Sequence, residues 1–135
     1  MKHLFVVPTR SCDDGLVKRM KEAVDGQAST YRFYSSEDDQ SVLAAKRVAE
    51  AYGQKKIEFR GRLNEDGCVL PRQLLDISSL VEEKDADVIA LVAPPKVAGM
   101  YASLLTTRRP FTRDGDIREG DAVHFDYQKE QYERL

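Results

Sequence analysis

The sequence predicts an α/β fold, arranged as a three-layer α/β/α sandwich with a mainly parallel central sheet. Short apolar segments alternate along the chain with longer segments whose apolar residues recur at helical spacing, which is the pattern of strands joined by covering helices. The run at 88–93 contains no polar side chain, as expected of a strand that is buried on both faces of a parallel sheet. The 135 residues fit a single domain, 1–135, built around one core.

The first half of the chain alternates between strand and helix signals. Residues 4–7, 31–34 and 57–59 are short apolar or β-prone segments and are predicted to be strands. Residues 13–24 and 38–52 carry carboxylates at their start and apolar side chains at helical spacing, so both are predicted to be helices. A glycine follows each of them within two positions and is a common stop signal for a helix.

The second half contains the strongest strand prediction. Residues 61–71 have the composition of a loop, and Pro71 suits the first turn of the helix that follows it. Residues 87–93 are the predicted central strand, which Pro94-Pro95 ends. Residues 96–105 are predicted to form the next helix.

The C-terminal part changes character. Residues 108–120 are charged and contain two glycines, which predicts an exposed loop. Residues 122–127 alternate partly between apolar and polar side chains and form the last predicted strand. Residues 128–135 are expected to be a polar tail.

The composition is that of a soluble globular domain and excludes several partners. The net charge is −2, from 21 basic and 23 acidic residues, so no overall field attracts nucleic acid or an anionic membrane. No apolar stretch approaches the roughly 18 residues that a membrane span needs, and the N-terminus lacks the apolar segment of a signal peptide. We therefore expect a cytoplasmic protein that binds neither nucleic acid nor membrane.

The cysteines and histidines form no recognisable metal or nucleophile motif. Cys12 and Cys68 lack CxxC spacing and clustered histidines, so we expect free thiols, no metal site and no cofactor. Six residues separate Cys12 from Arg19, one more than in the phosphate loop of cysteine phosphatases. His3 begins the first predicted strand and His124 lies within the last, and we expect both to be structural or exposed rather than catalytic.

Four short motifs follow the predicted strands in a specific order. They are Pro8-Thr9-Arg10 after the first strand, Ser35-Ser36 after the second, Arg62-Leu63-Asn64-Glu65 in the next loop and Pro94-Pro95 after the central strand. In the order and spacing of these elements the chain resembles the histidine phosphatase superfamily, in its short phosphohistidine-phosphatase size class. The resemblance covers nearly the whole chain and implies the phosphoglycerate mutase-like fold.

The catalytic positions of that family hold other residues in this chain. The family's first strand ends in Arg-His-Gly and its later strong strand in a second histidine and a glycine, where this chain has Pro8-Thr9-Arg10 and Pro94-Pro95. Gln40 falls where the family helix carries an arginine, and Leu43-Ala44-Ala45 falls where the family has Gln-Thr-Ala. The Ser-Ser and Leu-x-Glu elements are retained. The resemblance therefore extends to the architecture and stops at the catalytic groups.

The resemblance implies phosphoryl transfer through a phosphohistidine, and the replacements remove what that chemistry requires. An imidazole offers a lone pair at neutral pH because its pKa is about 6.5, whereas the hydroxyl of Thr9 needs a neighbouring base. Pro8 and Pro94 supply no donor to a developing charge, and one such donor is typically worth about 2.7–4 kcal/mol of the barrier. We therefore expect a pseudoenzyme, a degenerate member of the family with no catalytic residues.

The polar groups that remain near this sheet edge are candidates for a vestigial, anion-binding pocket. The candidate pocket residues are Thr9, Arg10, Ser35, Ser36, Arg62, Glu65, Pro94 and Lys96. Such a pocket suits a phosphorylated small molecule or protein, so the leading hypothesis is a binding or regulatory role without catalysis. Two alternatives stay open: a phosphatase with relocated chemistry on Glu65, Arg10 and Arg62, and a structural protein that dimerises through an apolar patch.

Overall fold

The computed structural model describes residues 2–24, 28–64, 86–108, 112–113 and 120–135. The strands are β1 (His3–Pro8), β2 (Tyr31–Ser35), β3 (Glu58–Phe59), β4 (Val88–Ala93), β5 (Thr112–Arg113), β6 (Val123–Asp126) and β7 (Gln131–Arg134). The α-helices are α1 (Asp14–Val24), α2 (Asp39–Ala51) and α3 (Pro95–Arg108), and short 3₁₀ helices cover Thr9–Ser11 and Gly61–Leu63. The α/β class predicted from the sequence is confirmed.

One sheet holds the seven described strands in the order β3–β2–β4–β1–β6–β7–β5. β4 lies between β2 and β1 and is parallel to both, and β3 is parallel to β2. On the other side of β1, β6 is antiparallel to β1 and β7 is antiparallel to β6, while β5 runs parallel to β7. The carboxyl ends of β1, β2 and β4 therefore meet at one edge of the sheet, where the chain turns after Pro8.

Two hydrophobic clusters flank β1 and β4. All six residues of β1 and all six of β4 are buried. Because side chains alternate along a strand, each strand contributes to both clusters. Phe5 and Val7 pack with residues of α1 and α2, whereas Leu4 and Val6 pack with residues of α3, among them Tyr101.

The helices begin where the sequence signals predict. Asp13 precedes α1, and its Oδ1 accepts a hydrogen bond of 2.7 Å from the backbone N–H of Leu16. Asp38 is the N-cap of α2, and its Oδ2 accepts a hydrogen bond of 3.0 Å from the backbone N–H of Ser41. Gly53, with a φ of 70°, follows α2 in a left-handed conformation that favours glycine. Within the described ranges, none of the helices has both the length and the apolar character to cross a membrane.

The prediction of a polar tail at 128–135 is wrong. Gln131–Arg134 forms β7 and pairs with β6. This strand buries one side chain, that of Tyr132, and exposes the other three. A segment with a single apolar residue carries no alternating hydrophobic pattern, so the sequence alone gives no strand signal.

The prediction of a loop over 108–120 is wrong at three of the residues that the structure describes in this range. Arg108 is the last residue of α3, and Thr112–Arg113 forms β5 beside β7. A two-residue strand is too short for its side-chain pattern to be recognised. The helix predicted to begin at Pro71 lies outside the described residues.

Replacing Tyr132 with alanine should lower the free energy of unfolding by about 3 kcal/mol. Tyr132 is only 5% exposed, and its ring centroid lies 5.7 Å from that of Phe125. The neighbouring Gln131 is exposed, so Gln131→Ala is the matched control and should change stability by no more than about 0.5 kcal/mol. Urea unfolding of both variants tests this, and equally small losses would show that β7 does not pack on the core.

Candidate functional site

A pocket lies at the carboxyl end of β1, where α/β proteins usually place their binding sites. β1 ends at Pro8, and the chain enters the 3₁₀ turn Thr9–Ser11, which the backbone N–H of Cys12 closes by donating to the carbonyl oxygen of Thr9 at 3.3 Å. The pocket lies between this turn and α2 and has a volume of about 230 Å³. The turn supplies one wall and a single face of α2 supplies the other.

The pocket is lined by seven residues: Thr9, Arg10, Cys12, Gln40, Leu43, Ala44 and Arg47. The four residues from α2 share one helix face because they are spaced by three, four and seven positions. Arg10 and Arg47 give the pocket two guanidinium groups, and Arg47 also donates from Nη1 to the carbonyl oxygen of Cys12 at 3.1 Å. Among these lining residues there is neither a carboxylate nor an imidazole.

Cys12 is held as a neutral thiol. Its Sγ donates to the carbonyl oxygen of Ala44 at 3.6 Å. Burial raises the pKa of Cys12, and the nearby carboxylates of Asp13 and Asp14 raise it further, while the guanidinium of Arg47 opposes the shift without reversing it. Since the thiolate is the nucleophilic form of cysteine, this side chain offers no ready nucleophile to the pocket.

The two serines predicted at the pocket are engaged elsewhere. Ser35 and Ser36 are fully buried; the Ser35 hydroxyl donates to the Ser36 carbonyl oxygen at 2.7 Å, and the Ser36 hydroxyl donates to the carboxylate of Asp38. Burial of Asp38 by itself raises its pKa, but hydrogen bonds from Ser36 and Ser41 outweigh this effect and hold the pKa below its ordinary value. The serines therefore fix the N-terminus of α2 and are absent from the pocket lining.

The other predicted residues occupy different places. Pro94 immediately precedes α3, where its carbonyl oxygen accepts from the backbone N–H of Ala98 at 2.9 Å, and Lys96 is exposed in the first turn. Neither belongs to the pocket lining. Arg62 lies in the 3₁₀ helix Gly61–Leu63, and Glu65 lies outside the described residues.

The structure thus brings Thr9 and Arg10 together with residues of α2 that were not among the predicted pocket residues. Arg47 and Gln40 complete the polar lining. Arg47 lies seven positions after Gln40, so the two side chains share one face of α2. This helical spacing is the one sequence signal that could have indicated Arg47. That spacing alone does not say which side of a solvated helix faces a pocket.

The two histidines are buried and in contact, at the end of β1 opposite the pocket. His3 Nδ1 and His124 Nε2 are 2.9 Å apart, and the two ring centroids are 5.1 Å apart. The His124 ring also stacks on Phe5, with centroids 4.6 Å apart. Along β1, His3 lies roughly 16 Å from Pro8, and Phe5, which is opposite His124, lies roughly 10 Å from it. Neither histidine belongs to the pocket lining.

The strand order and the parallel pairing of β1 with β4 define the chain as an α/β protein with a mixed sheet. Comparison with solved structures finds a protein of similar fold. A crystal structure of phosphoglycerate mutase from Plasmodium falciparum is similar, with a TM-score of 0.62 over 99% of this chain and 88% of that chain. The two sequences are 10% identical, so the likeness is one of fold. No protein-family model and no curated protein matches the sequence.

The histidine pair is uncharged in the folded protein near neutral pH. Burial is the main cause that lowers the pKa of His3, and the adjacent His124 lowers it further. Burial also lowers the pKa of His124, and the opposing influence of the Glu133 carboxylate does not reverse that shift. Neither ring therefore takes up a proton as readily in the folded chain as in the unfolded chain.

Lowering the pH from about 7.5 to about 5.5 should lower the free energy of unfolding, because below about 6.5 the unfolded histidines bind protons that the folded ones do not. Above that pH both states carry neutral imidazoles and the contribution is fully present. Urea unfolding in buffers containing EDTA measures the effect. His3→Asn should reduce the slope by removing one of the two groups. Stability that stays flat or increases across this window would contradict the assignment.

Proposed function

We propose that this chain is a non-catalytic protein of the phosphoglycerate mutase-like fold, a degenerate histidine phosphatase that binds a phosphorylated ligand in the pocket beside α2. The observation that carries the proposal is the pair of guanidinium groups, from Arg10 and Arg47, that line one pocket at the carboxyl end of β1. The proposal includes a three-layer sandwich with a mainly parallel sheet and a binding or regulatory role in the cytoplasm. The helices packed against both sides of β1 and β4 support that layering.

The pocket lining suits a small oxyanion. Arginine forms paired, charge-assisted hydrogen bonds with phosphate, and the Thr9 hydroxyl and Gln40 amide add neutral donors. With a volume of about 230 Å³, the pocket is smaller than the roughly 300–1,000 Å³ of pockets that hold drug-sized ligands. Inorganic phosphate or a compact phosphomonoester is therefore the ligand class that fits best.

The same lining argues against phosphoryl transfer. Thr9 needs a base to become a nucleophile, and the residues that line the pocket include no carboxylate or imidazole. Cys12 is protonated near neutral pH because burial raises its pKa. The only two histidines of the chain lie outside the pocket lining, so the pocket supports binding better than chemistry.

The alternative is a phosphatase whose catalytic residues lie at positions other than those of the family's histidines. Its residues are Arg10, Arg62 and Glu65, of which Arg10 lines the pocket. Glu65 would act as the acid that protonates a leaving group. This alternative requires turnover, which the binding proposal does not, so one assay separates them.

Arg10→Gln should weaken the binding of inorganic phosphate and of phosphoserine roughly tenfold or more, because a hydrogen bond to a charged group contributes about 1.5–3 kcal/mol. Lys46→Gln is the matched control, since Lys46 is exposed on α2 and outside the pocket lining. Isothermal titration calorimetry on both variants measures the difference. Equal affinities in the two variants would place the bound anion elsewhere.

Hydrolysis of p-nitrophenyl phosphate and of phosphohistidine should not exceed the background that the Arg10→Gln variant gives. The physical reason is the lack of an activated nucleophile in the pocket. Release of phosphate, followed between about pH 6 and pH 8, where an imidazole would titrate, is the measurement. Turnover abolished by Thr9→Val would overturn the non-catalytic proposal, and turnover abolished by Glu65→Gln would establish the alternative.

A further inference from the structure

Three potential metal ligands meet where β1 pairs with β6. The antiparallel register places His3 opposite Asp126 and Phe5 opposite His124. Residues that lie opposite each other share a face of the sheet, as do residues two positions apart, so His3, His124 and Asp126 are neighbours on one face. One ring nitrogen from each histidine and one carboxylate oxygen of Asp126 all lie within 4.8 Å of one another.

A fourth residue orients the imidazole at the centre of this cluster. Glu133 lies opposite His124 in the β6–β7 pairing, and its Oε1 is 3.4 Å from His124 Nδ1. A carboxylate only accepts, so His124 Nδ1 carries the proton and Nε2 holds a lone pair. His3 Nδ1 therefore donates to His124 Nε2 across the 2.9 Å that separate them. A carboxylate behind an imidazole is the arrangement that positions histidine ligands in metal sites.

The carboxylate of Asp126 is held in place by the turn that follows β6. Its Oδ1 accepts two hydrogen bonds of 3.0 Å, from the backbone N–H groups of Gln128 and Lys129. His3 and His124 are buried, whereas Asp126 is only partly buried, so the carboxylate side is the one through which an ion would enter.

The surrounding charges leave the cluster net acidic. Asp126 and Glu133 face the imidazoles from β6 and β7, and Asp87 adds a carboxylate near His3. Lys2 and Lys129 are the opposing cations, and Lys2 is paired with Asp87 at 3.8 Å. The balance of three carboxylates against two ammonium groups favours a divalent cation.

We propose that His3 Nδ1, His124 Nε2 and Asp126 form a binding site for a divalent transition-metal ion, with Zn²⁺ as the best match. Two neutral imidazoles and a carboxylate are a ligand set that zinc accepts, with a fourth position left to water on the side of Asp126. Its ligands come from two strands, so the ion would tie β1 to β6. The site is separate from the pocket beside α2 and does not depend on the function proposed for that pocket.

The spacing of the two ring nitrogens is close to what zinc needs. Two nitrogen ligands of a tetrahedral zinc ion lie about 3.3 Å apart, given Zn–N distances of about 2.0–2.1 Å. The present separation is 2.9 Å, so the rings must part by only about 0.4 Å. The ion takes the place of the proton on His3 Nδ1, and His3 takes a proton from solvent on Nε2, so the exchange releases no net proton.

Zinc binding to the full chain tests the site, with any polyhistidine tag removed and the protein first stripped with EDTA. Isothermal titration calorimetry should find one Zn²⁺ per chain with submicromolar affinity, and the ion should raise the melting temperature. Co²⁺ at the same site should give visible absorption bands that Zn²⁺ abolishes. The absence of saturable binding would overturn the proposal.

Variants then locate the bound ion. Asp126→Asn should weaken zinc binding at least tenfold while its amide oxygen keeps the turn hydrogen bonds, and Glu133→Gln should weaken it roughly tenfold to 100-fold. Glu130→Gln is the matched control, because Glu130 is an exposed carboxylate of the same turn, and it should leave the affinity unchanged. His124→Gln should abolish binding, and if that chain does not fold, Asp126→Asn decides. Unchanged affinity in Asp126→Asn would show that zinc binds elsewhere and would overturn the assignment.

Discussion

Burial of the two adjacent parallel strands β1 and β4 is the constraint on which the rest of the structure depends. Both strands are buried over all of their six residues, so each face of the pair must be covered by apolar side chains. Residues of α1 and α2 cover one face and residues of α3 the other. Because the strands are parallel, the connecting segments cross the sheet, and the turns that follow β1, β2 and β4 gather at one edge.

The pocket forms at that edge of the sheet. The turn after Pro8 forms one wall, and α2 forms the other at a position fixed by its N-terminal cap. Ser36 and Asp38 build that cap from partly buried hydrogen bonds, and the α2 face that holds Gln40 and Arg47 lines the pocket together with Arg10. The fold resembles that of a phosphoglycerate mutase at 10% identity, and a shared fold permits different site chemistry. In this chain the end of β1 carries the hydroxyl of Thr9 and the guanidinium of Arg10.

The elements that the sequence predicts well are those with a strong local pattern. β4 follows from an unbroken apolar run, and α2 follows from an acidic cap with helical spacing. β7 could not be predicted because Tyr132 is its one buried side chain. The contact between His3 and His124 joins residues 121 positions apart, and only the β1–β6 register brings them together. The place of Arg47 in the pocket could not be predicted either, because many exposed arginines on helices have no pocket beside them.

The buried histidine cluster shows how one sheet can hold two unrelated polar sites. The pocket uses the carboxyl end of β1, where turns are exposed and a ligand can enter. The cluster uses the amino end, where cross-strand pairing with β6 and β7 sets side chains against one another. Along the strand, His3 lies roughly 16 Å and the position opposite His124 roughly 10 Å from Pro8, so the two sites share no residue.

The proposed oxyanion-binding pocket at the carboxyl end of β1 can be examined in a crystal of the protein soaked in tungstate. Tungstate has the shape and charge of phosphate and is located without ambiguity by its anomalous scattering. We expect a single strong anomalous peak between the side chains of Arg10 and Arg47, from a tungstate ion that makes hydrogen bonds and no covalent bond to the protein. An empty pocket, or tungsten bonded covalently to a side-chain nucleophile, would contradict this expectation.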